Sequence, residues 1–175
     1  MGRGLRRSME VIDDFLDSSQ FESIYDFIMG DQFPWYFNSS VDYSPDDERY
    51  IDDIDNYQFI HNFYNIVRQT GSDFFPMLAP IIQKINCNKL HRVKSNLNPR
   101  TPKHIKRDLH TDTKYKHKTS ILYINTNNGW TEFEDGSKVD SVSNRMVIFD
   151  SPIRHTGVTC TDEKVRVLIN FNYDE

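Results

Sequence analysis

The sequence has few cysteines, and none in a metal-binding or redox pattern. Its two cysteines, Cys87 and Cys160, are far apart, and no Cys-x-x-Cys pair occurs. This pattern favours two free thiols, buried or half-buried, over a paired motif.

Long apolar runs are also lacking. No stretch approaches the length of a membrane-spanning helix. The basic start, MGRGLRRSME, is not followed by the apolar segment of a secretory signal, and Arg6 stands where a myristoylation signal needs Ser or Thr. We therefore expect a cytoplasmic protein without membrane contact. One interpretation of residues 1–8 is a disordered extension, with Met9 as the natural start.

Charge is unevenly distributed along the chain. The formal net charge is -5, yet residues 10–55 are almost purely acidic and residues 89–118 are strongly basic. Two solvated surfaces that attract each other weakly would produce this pattern. A basic rim around an acidic substrate or a nucleic acid would produce it as well.

The length of 175 residues predicts a single domain over residues 1–175, and 37% hydrophobic with 13% aromatic residues is enough for a core. Apolar positions at helical spacing predict helices over residues 17–31 and 72–86, the second kinked at Pro80. Residues 31–56 are aromatic and acidic without a period, and we interpret them as a long loop and candidate lid. Residues 56–64 alternate like a strand.

From Leu90 onward the hydrophobic period changes to two. Short strands separated by turn-like stretches are predicted there. Helices followed by a run of strands predict an α+β domain, whose β part is a sandwich or barrel with the helices on one outer face. The predicted strands are KLHRVKSNL, KRDLHTD, TSILYIN, WTEFED, NRMVIFD and KVRVLINFN, and the turn-like stretches are NPRTP, NTNNG, DGSK and DSPIRHTG.

A His-x-Asp pair, His110 and Asp112, lies in one of these strands. Residues i and i+2 of a strand face the same way, so both side chains can reach one ion. His155, after the apolar stretch VIFDSPIR, is the candidate for a third ligand. Two imidazoles and a carboxylate are the ligand set of non-haem iron(II) oxygenases. The pair alone would arise easily by chance in a chain with six histidines.

The last predicted strand has one apolar and one polar face. Arg166, Asn170 and Asn172 share the polar face, and if helices cover the other face this row points into the barrel. A buried arginine needs a carboxylate, which a dicarboxylic co-substrate would supply. An inward-pointing Tyr123 would add a hydrogen bond to the same carboxylate, and Asn170 would contact the ligand directly or through water.

Taken in order, the motifs resemble those of the 2-oxoglutarate- and iron(II)-dependent oxygenases, and most closely the prolyl 4-hydroxylase-like branch. The segments that carry the resemblance are His110 to Asp112, Tyr123 to Asn125, Gly129 to Phe133, His155 and Arg166. In that branch the middle motifs usually read Tyr-Leu-Asn and Gly-Gly-x-Thr-x-Phe, so Trp130 replaces the second glycine. The compact length resembles small phage-encoded members. The resemblance covers residues 90–173 well and residues 11–86 only loosely.

The resemblance implies a double-stranded β-helix (jelly-roll or cupin-like) core with the N-terminal helices on one sheet. It implies iron(II) on His110, Asp112 and His155, and 2-oxoglutarate bound by Arg166 with help from Tyr123 and Asn170. It also implies dioxygen as co-substrate and ascorbate as a candidate reductant. The expected reaction is hydroxylation coupled to the decarboxylation of 2-oxoglutarate.

Three interpretations of function remain open at this point. The first is an oxygenase that acts on a peptidyl proline or another protein side chain. The second keeps the chemistry but takes a nucleic acid as substrate, because of basic residues 89–118. The third is a cupin-like interaction module, without catalysis, that holds an incidental metal.

Overall fold

The computed structural model describes residues 9–41, 46–48, 50, 52–112 and 116–175. The predicted extension at residues 1–8 and part of the candidate lid lie outside these ranges. Within these ranges the α-helices are α1 (Ser18–Met29) and α2 (Ala79–Ile85), and a 3-10 helix, Phe75–Leu78, precedes α2. The strands are β1 (Met9–Ile12), β2 (Tyr36–Asn38), β3 (Gln58–Asn65), β4 (Thr70–Gly71), β5 (Lys89–Pro99), β6 (Lys118–Tyr123), β7 (Trp130–Phe133), β8 (Lys138–Asp140), β9 (Met146–Asp150), β10 (His155–Val158) and β11 (Val165–Asp174).

The strands form two antiparallel sheets. The larger sheet has the order β1-β9-β6-β11-β5-β3-β2, with β4 on β3, and the smaller has the order β10-β7-β8. Isolated bridges from Lys106 to Val158 and from His110 to His155 attach the segment before β6 to the edge of β10. Side chains of both sheets share a buried cluster that includes Phe133, Val139 and Phe149. This two-sheet arrangement confirms the predicted jelly-roll class.

Strand β11 lies in the middle of the larger sheet, between β5 and β6, and both of its faces are covered. Its odd-numbered side chains, such as Val167 and Ile169, pack in one core with Ile24 of α1 and Ile81 of α2. Its even-numbered side chains point toward the smaller sheet. The polar row is therefore buried, as the strand pattern predicted: Arg166, Asn170 and Asn172 are 2%, 7% and 4% exposed.

Several predicted elements differ in detail. The second helix is a 3-10 turn followed by α2, because Pro76 and Pro80 each suit a first helical turn and not a helix interior. Residues 106–112 form only isolated bridges. Residues 138–140 and 155–158 are strands that begin inside the predicted turn stretches DGSK and DSPIRHTG. The aperiodic segment, residues 31–56, contains the short strand β2.

Among the described residues, no helix has the length and hydrophobicity needed to cross a membrane. Both cysteines are free, Cys87 half-buried and Cys160 buried, as predicted.

Candidate functional site

The structure brings His110 and His155 together by direct backbone pairing. The amide of each donates to the carbonyl of the other, over 3.0 Å from His110 and 2.9 Å from His155. Their rings lie 5.0 Å apart between centroids. The sequence placed His155 at the end of an apolar strand, and it instead begins β10, which carries it to the edge where the His-x-Asp segment lies.

Asp112 completes the cluster. Its Oδ1 lies 3.9 Å from Nε2 of His110 and 4.0 Å from Nε2 of His155. One nitrogen or oxygen from each of the three residues lies within 4.8 Å of the others. Nδ1 of His155 is 3.2 Å from the carbonyl of Ile153, an acceptor, which leaves Nε2 of His155 as the lone-pair nitrogen facing Asp112.

The second carboxylate oxygen of Asp112 is held by the polar row of β11. The side-chain amides of Asn170 and Asn172 donate to Oδ2 over 2.8 and 3.1 Å. Arg92 places Nη2 3.5 Å from Oδ1. Such outer partners fix the orientation of a ligating carboxylate.

These neighbours also set the charge of the cluster. Burial alone would raise the pKa of Asp112, but Arg92, His155 and His110 outweigh it, with help from Asn170, and hold this pKa well below its usual value. Burial lowers the pKa of His155, and Asp112 opposes the shift only partly. At neutral pH the cluster therefore offers a carboxylate and a neutral imidazole at His155, the forms that bind metal.

Arg166 lies farther along the same strand and has no carboxylate partner among the described residues. Its Nε donates to Oγ of Ser141 over 2.8 Å, and its Nη2 to Oγ1 of Thr131 over 3.1 Å. Its guanidinium carbon is 5.6 Å from the centre of the Tyr123 ring. Burial lowers the pKa of Arg166, with Tyr123 opposing. Two neutral hydroxyls satisfy donors but leave a buried positive charge uncompensated.

Two glycines make room for that arginine. A Cβ at Gly129 would come within 2.8 Å of Cδ of Arg166 and of the carbonyl of Val158. A Cβ at Gly157 would lie 3.3 Å from Nη1 of Arg166. Gly129 is also the glycine of the motif at residues 129–133. The contacts of Arg166 and Val158 give a steric reason why a glycine is needed at this position.

A cavity connects the histidine–aspartate cluster with Arg166. Its wall includes His110, Asp112, His155, Arg166, Leu168, Asn170, Thr131 and Gly157. Tyr123 is fully buried, and its hydroxyl donates to Oγ1 of Thr131 over 2.7 Å. Asn170 lines the same cavity but gives its amide to Asp112.

Sequence reasoning missed several residues of this site. Arg92 stands out in the sequence only as one of many basic residues, and Thr131 only as part of the motif at residues 129–133. Ser141 follows a strand that the sequence pattern does not predict, so no pattern points to it. Asn172 was placed on the correct face without a partner, and that partner proves to be Asp112.

Neither a protein-family model nor a curated protein matches the chain significantly by sequence. Solved structures do match. A prolyl hydroxylase from Trichoplax adhaerens, in complex with a hypoxia inducible factor peptide fragment, aligns with a TM-score of 0.64 and 14% identity, over 97% of this chain and 84% of that one. The viral collagen prolyl hydroxylase of Paramecium Bursaria Chlorella virus-1, bound to 2-oxoglutarate, aligns with a TM-score of 0.59 and 11% identity, over 97% of both chains. SnoN, an α-ketoglutarate-dependent epimerase from nogalamycin biosynthesis, aligns with a TM-score of 0.64 and 13% identity, over 97% of this chain and 78% of that one.

At these identities the likeness establishes the fold. The chain has the fold of the 2-oxoglutarate- and iron(II)-dependent oxygenases, over nearly its whole length. Because unrelated chemistries share folds, the activity has to be argued from the site.

Proposed function

We propose that this protein is an iron(II)- and 2-oxoglutarate-dependent oxygenase that hydroxylates a peptide or protein side chain. One observation carries the proposal: a cavity has two histidines and an aspartate at one place on its wall and an uncompensated buried arginine at another. The fold of the matching oxygenases supports it.

The residues present fit an iron(II) ion. Two imidazole nitrogens and one carboxylate oxygen form the ligand set that such iron sites use, and it leaves coordination positions open. His110, Asp112 and His155 would hold the ion. Asn170 and Asn172 would keep the carboxylate turned so that Oδ1 faces it. With 2-oxoglutarate and dioxygen, the bound iron would supply the oxidation that yields succinate, carbon dioxide and a hydroxylated substrate.

Arg166 fits the distal carboxylate of 2-oxoglutarate. It offers a fixed set of donors and a charge that has no partner among the described carboxylates. Thr131 lines the cavity and its Oγ1 accepts a hydrogen bond from Arg166, so Thr131 would complete this end of the co-substrate pocket. The Tyr123 hydroxyl donates to the same Oγ1 and would act through Thr131. Asn170 would act on the co-substrate indirectly, by orienting Asp112.

A peptide is the better-supported substrate class. Two of the three matching structures named above are prolyl hydroxylases, one of them bound to a peptide fragment. The mouth of the cavity also mixes charges: Nη2 of Arg107 donates to the carbonyl of Asp55 over 2.8 Å, and its Nη1 lies 3.6 Å from Asp53. Carboxylates on this rim would repel the phosphates of a nucleic acid.

The test is succinate formation from 2-oxoglutarate, with iron(II), against a panel of peptides and oligonucleotides. The wild type should form succinate in an iron-dependent manner, with a peptide as the stimulating substrate. His110→Ala should abolish formation, whereas His104→Ala, which removes a histidine outside the cluster, should retain it. Undiminished turnover by His110→Ala would refute the proposal, and stimulation by oligonucleotides alone would reassign the substrate.

A further inference from the structure

Beyond the proposed iron site, the chain has a second group of potential ligands at the ends of β5, β6 and β11. This outer cluster consists of His91, His117 and Asp174, and one ligand atom of each lies within 4.8 Å of the others. Nε2 of His91 is 2.9 Å from Oδ1 of Asp174, and the ring centroids of His91 and His117 are 5.1 Å apart. We propose that the outer cluster is a second divalent-cation site, suited to a first-row transition ion such as Zn²⁺.

A β-bulge places His91 in this cluster. The pairing of β5 with β11 shifts from Asn172↔Arg92 to Tyr173↔Leu90, so His91 is the extra residue. In a regular strand His91 and Arg92 would face opposite sides. The inserted residue breaks the alternation, so both side chains reach the even-numbered row of β11. His91 contacts Asp174 there, and Arg92 contacts Asn172.

The other two ligands reach the same place by ordinary strand parity. Asp174 continues the even-numbered row of β11, after Asn172. His117 precedes β6 and shares parity with Thr119, which pairs with Asn172 and accepts a hydrogen bond from it over 3.0 Å. Three adjacent strands therefore direct one ligand each toward a common point.

The ligand nitrogens are shielded but unsatisfied. Nε2 of His91 and Nε2 of His117 are buried and have no hydrogen-bond partner among the described residues, and the contact of His91 with Asp174 lacks hydrogen-bond alignment. Buried polar atoms normally find a partner, so two such nitrogens beside a carboxylate require an explanation. A cation between them would satisfy all three groups.

The chemistry of the ligands selects the ion. Imidazole and carboxylate suit zinc and other first-row transition ions, whereas calcium and magnesium prefer oxygen alone. Two of the nearby cationic side chains have a carboxylate of their own: Arg92 is 3.5 Å from Asp112, and Lys118 is 3.0 Å from Asp150. A third, Lys89, lies opposite Asp174 in the pairing of β5 with β11. The charges of Arg92 and Lys118 therefore do not exclude a further cation.

Two of the outer ligands are close in sequence to a residue that supports Asp112. His91 precedes Arg92, and Asp174 is two residues beyond Asn172, and both Arg92 and Asn172 contact Asp112. A bound ion would fasten the strand ends that carry these contacts. We expect occupancy of the outer cluster to tighten the inner cluster without taking part in its chemistry.

The test is to titrate the metal-free, full-length protein with ZnCl₂ by isothermal calorimetry, and to record zinc-dependent thermal unfolding. The wild type should bind two equivalents, and His110→Ala and His117→Gln one each. The double variant should bind neither tightly. Because loss of even an outer partner typically costs about 10–100-fold in metal affinity, loss of a direct ligand should weaken the affected site by more than about 100-fold.

Asp174→Asn is a second variant of the outer cluster. If His117→Gln folds poorly, Asp174→Asn tests whether the outer cluster binds the second equivalent of zinc. His104→Gln is the control for removing a histidine elsewhere, and it should keep two equivalents. One equivalent in the wild type with none in His110→Ala, or two equivalents in both outer variants, would overturn the proposal. The equivalent that His117→Gln and Asp174→Asn lose, and that His110→Ala keeps, belongs to the outer cluster, so it tests this proposal separately from the inner site and from succinate formation.

Discussion

Replacing Arg166 by Met separates a role in binding from a role in the fold. The side chain is 2% exposed, and two neutral hydroxyls hold it. A buried charge without a carboxylate partner costs stability, and exchanging buried charges for apolar groups of similar size is often neutral or stabilising by about 1–4 kcal/mol. Without co-substrate, Arg166→Met should therefore unfold at the same denaturant concentration as the wild type or a higher one.

Co-substrate binding should respond in the opposite direction. Removing one partner of a buried charge pair costs about 3–5 kcal/mol, because the other charge remains buried and unpaired. At about 1.4 kcal/mol for each tenfold, the dissociation constant of 2-oxoglutarate should rise more than about 100-fold. Calorimetry with the metal-loaded protein measures it directly, and the KM for 2-oxoglutarate in succinate formation checks it independently.

Arg145→Met is the matched control. Arg145 is an arginine that pairs with Asp13 outside the cavity, so this variant should bind 2-oxoglutarate like the wild type. The reasoning is refuted if Arg166→Met loses several kcal/mol of stability in the absence of co-substrate and keeps an unchanged affinity for 2-oxoglutarate. Arg166 would then be a structural residue.

Three further predictions each concern one residue. Gly129→Ala should cost about 1–3 kcal/mol in chemical unfolding, because its Cβ would meet a backbone carbonyl and the Arg166 side chain at 2.8 Å; wild-type stability would contradict this. Asn172→Leu should weaken metal binding at Asp112 about 10–100-fold in a metal titration, and unaltered affinity would show that Asp112 needs no such support. Burial lowers the pKa of His61 below its usual 6.5, so the unfolded chain binds more protons below that pH. The contribution of His61 to the free energy of unfolding should be constant above pH 6.5 and decrease as the pH falls below 6.5. His61→Gln should therefore lose less stability in acid than the wild type. An identical pH profile for the two proteins would assign the acid destabilisation to other groups.

The parts of the structure that follow a strict period were predictable from sequence. Strand alternation places Arg166 and Asn170 on one face of β11, and the i, i+2 rule places His110 beside Asp112, although that segment forms bridges and not a full strand. These rules depend only on backbone geometry, so they survive errors in the exact strand boundaries.

The remaining parts depend on long-range pairing or on interruptions of the period. Arg92 reaches Asp112 only because β5 and β11 pair in one register, which no local pattern specifies. His91 lies at a bulge, where the alternation fails by one residue. His117 precedes β6 within the basic residues 89–118, whose composition is typical of a solvated surface. A cluster assembled from such positions is invisible to pattern reasoning and becomes evident only when strand ends are brought together.

The polar row of β11 also explains why one strand suits the co-substrate proposed here. Arg166 and Asn170 are separated by Leu168, which is 7% exposed and lines the cavity between them. Side chains on one face of a strand repeat about every 6.6–6.8 Å, so the row presents a cation, an apolar surface and then the amide that holds Asp112 of the proposed iron site. 2-Oxoglutarate has a distal carboxylate, two methylenes and a chelating end in the same order. Leu168→Asn should therefore impair binding of 2-oxoglutarate while leaving the metal ligands in place, since it would set an amide against the methylenes.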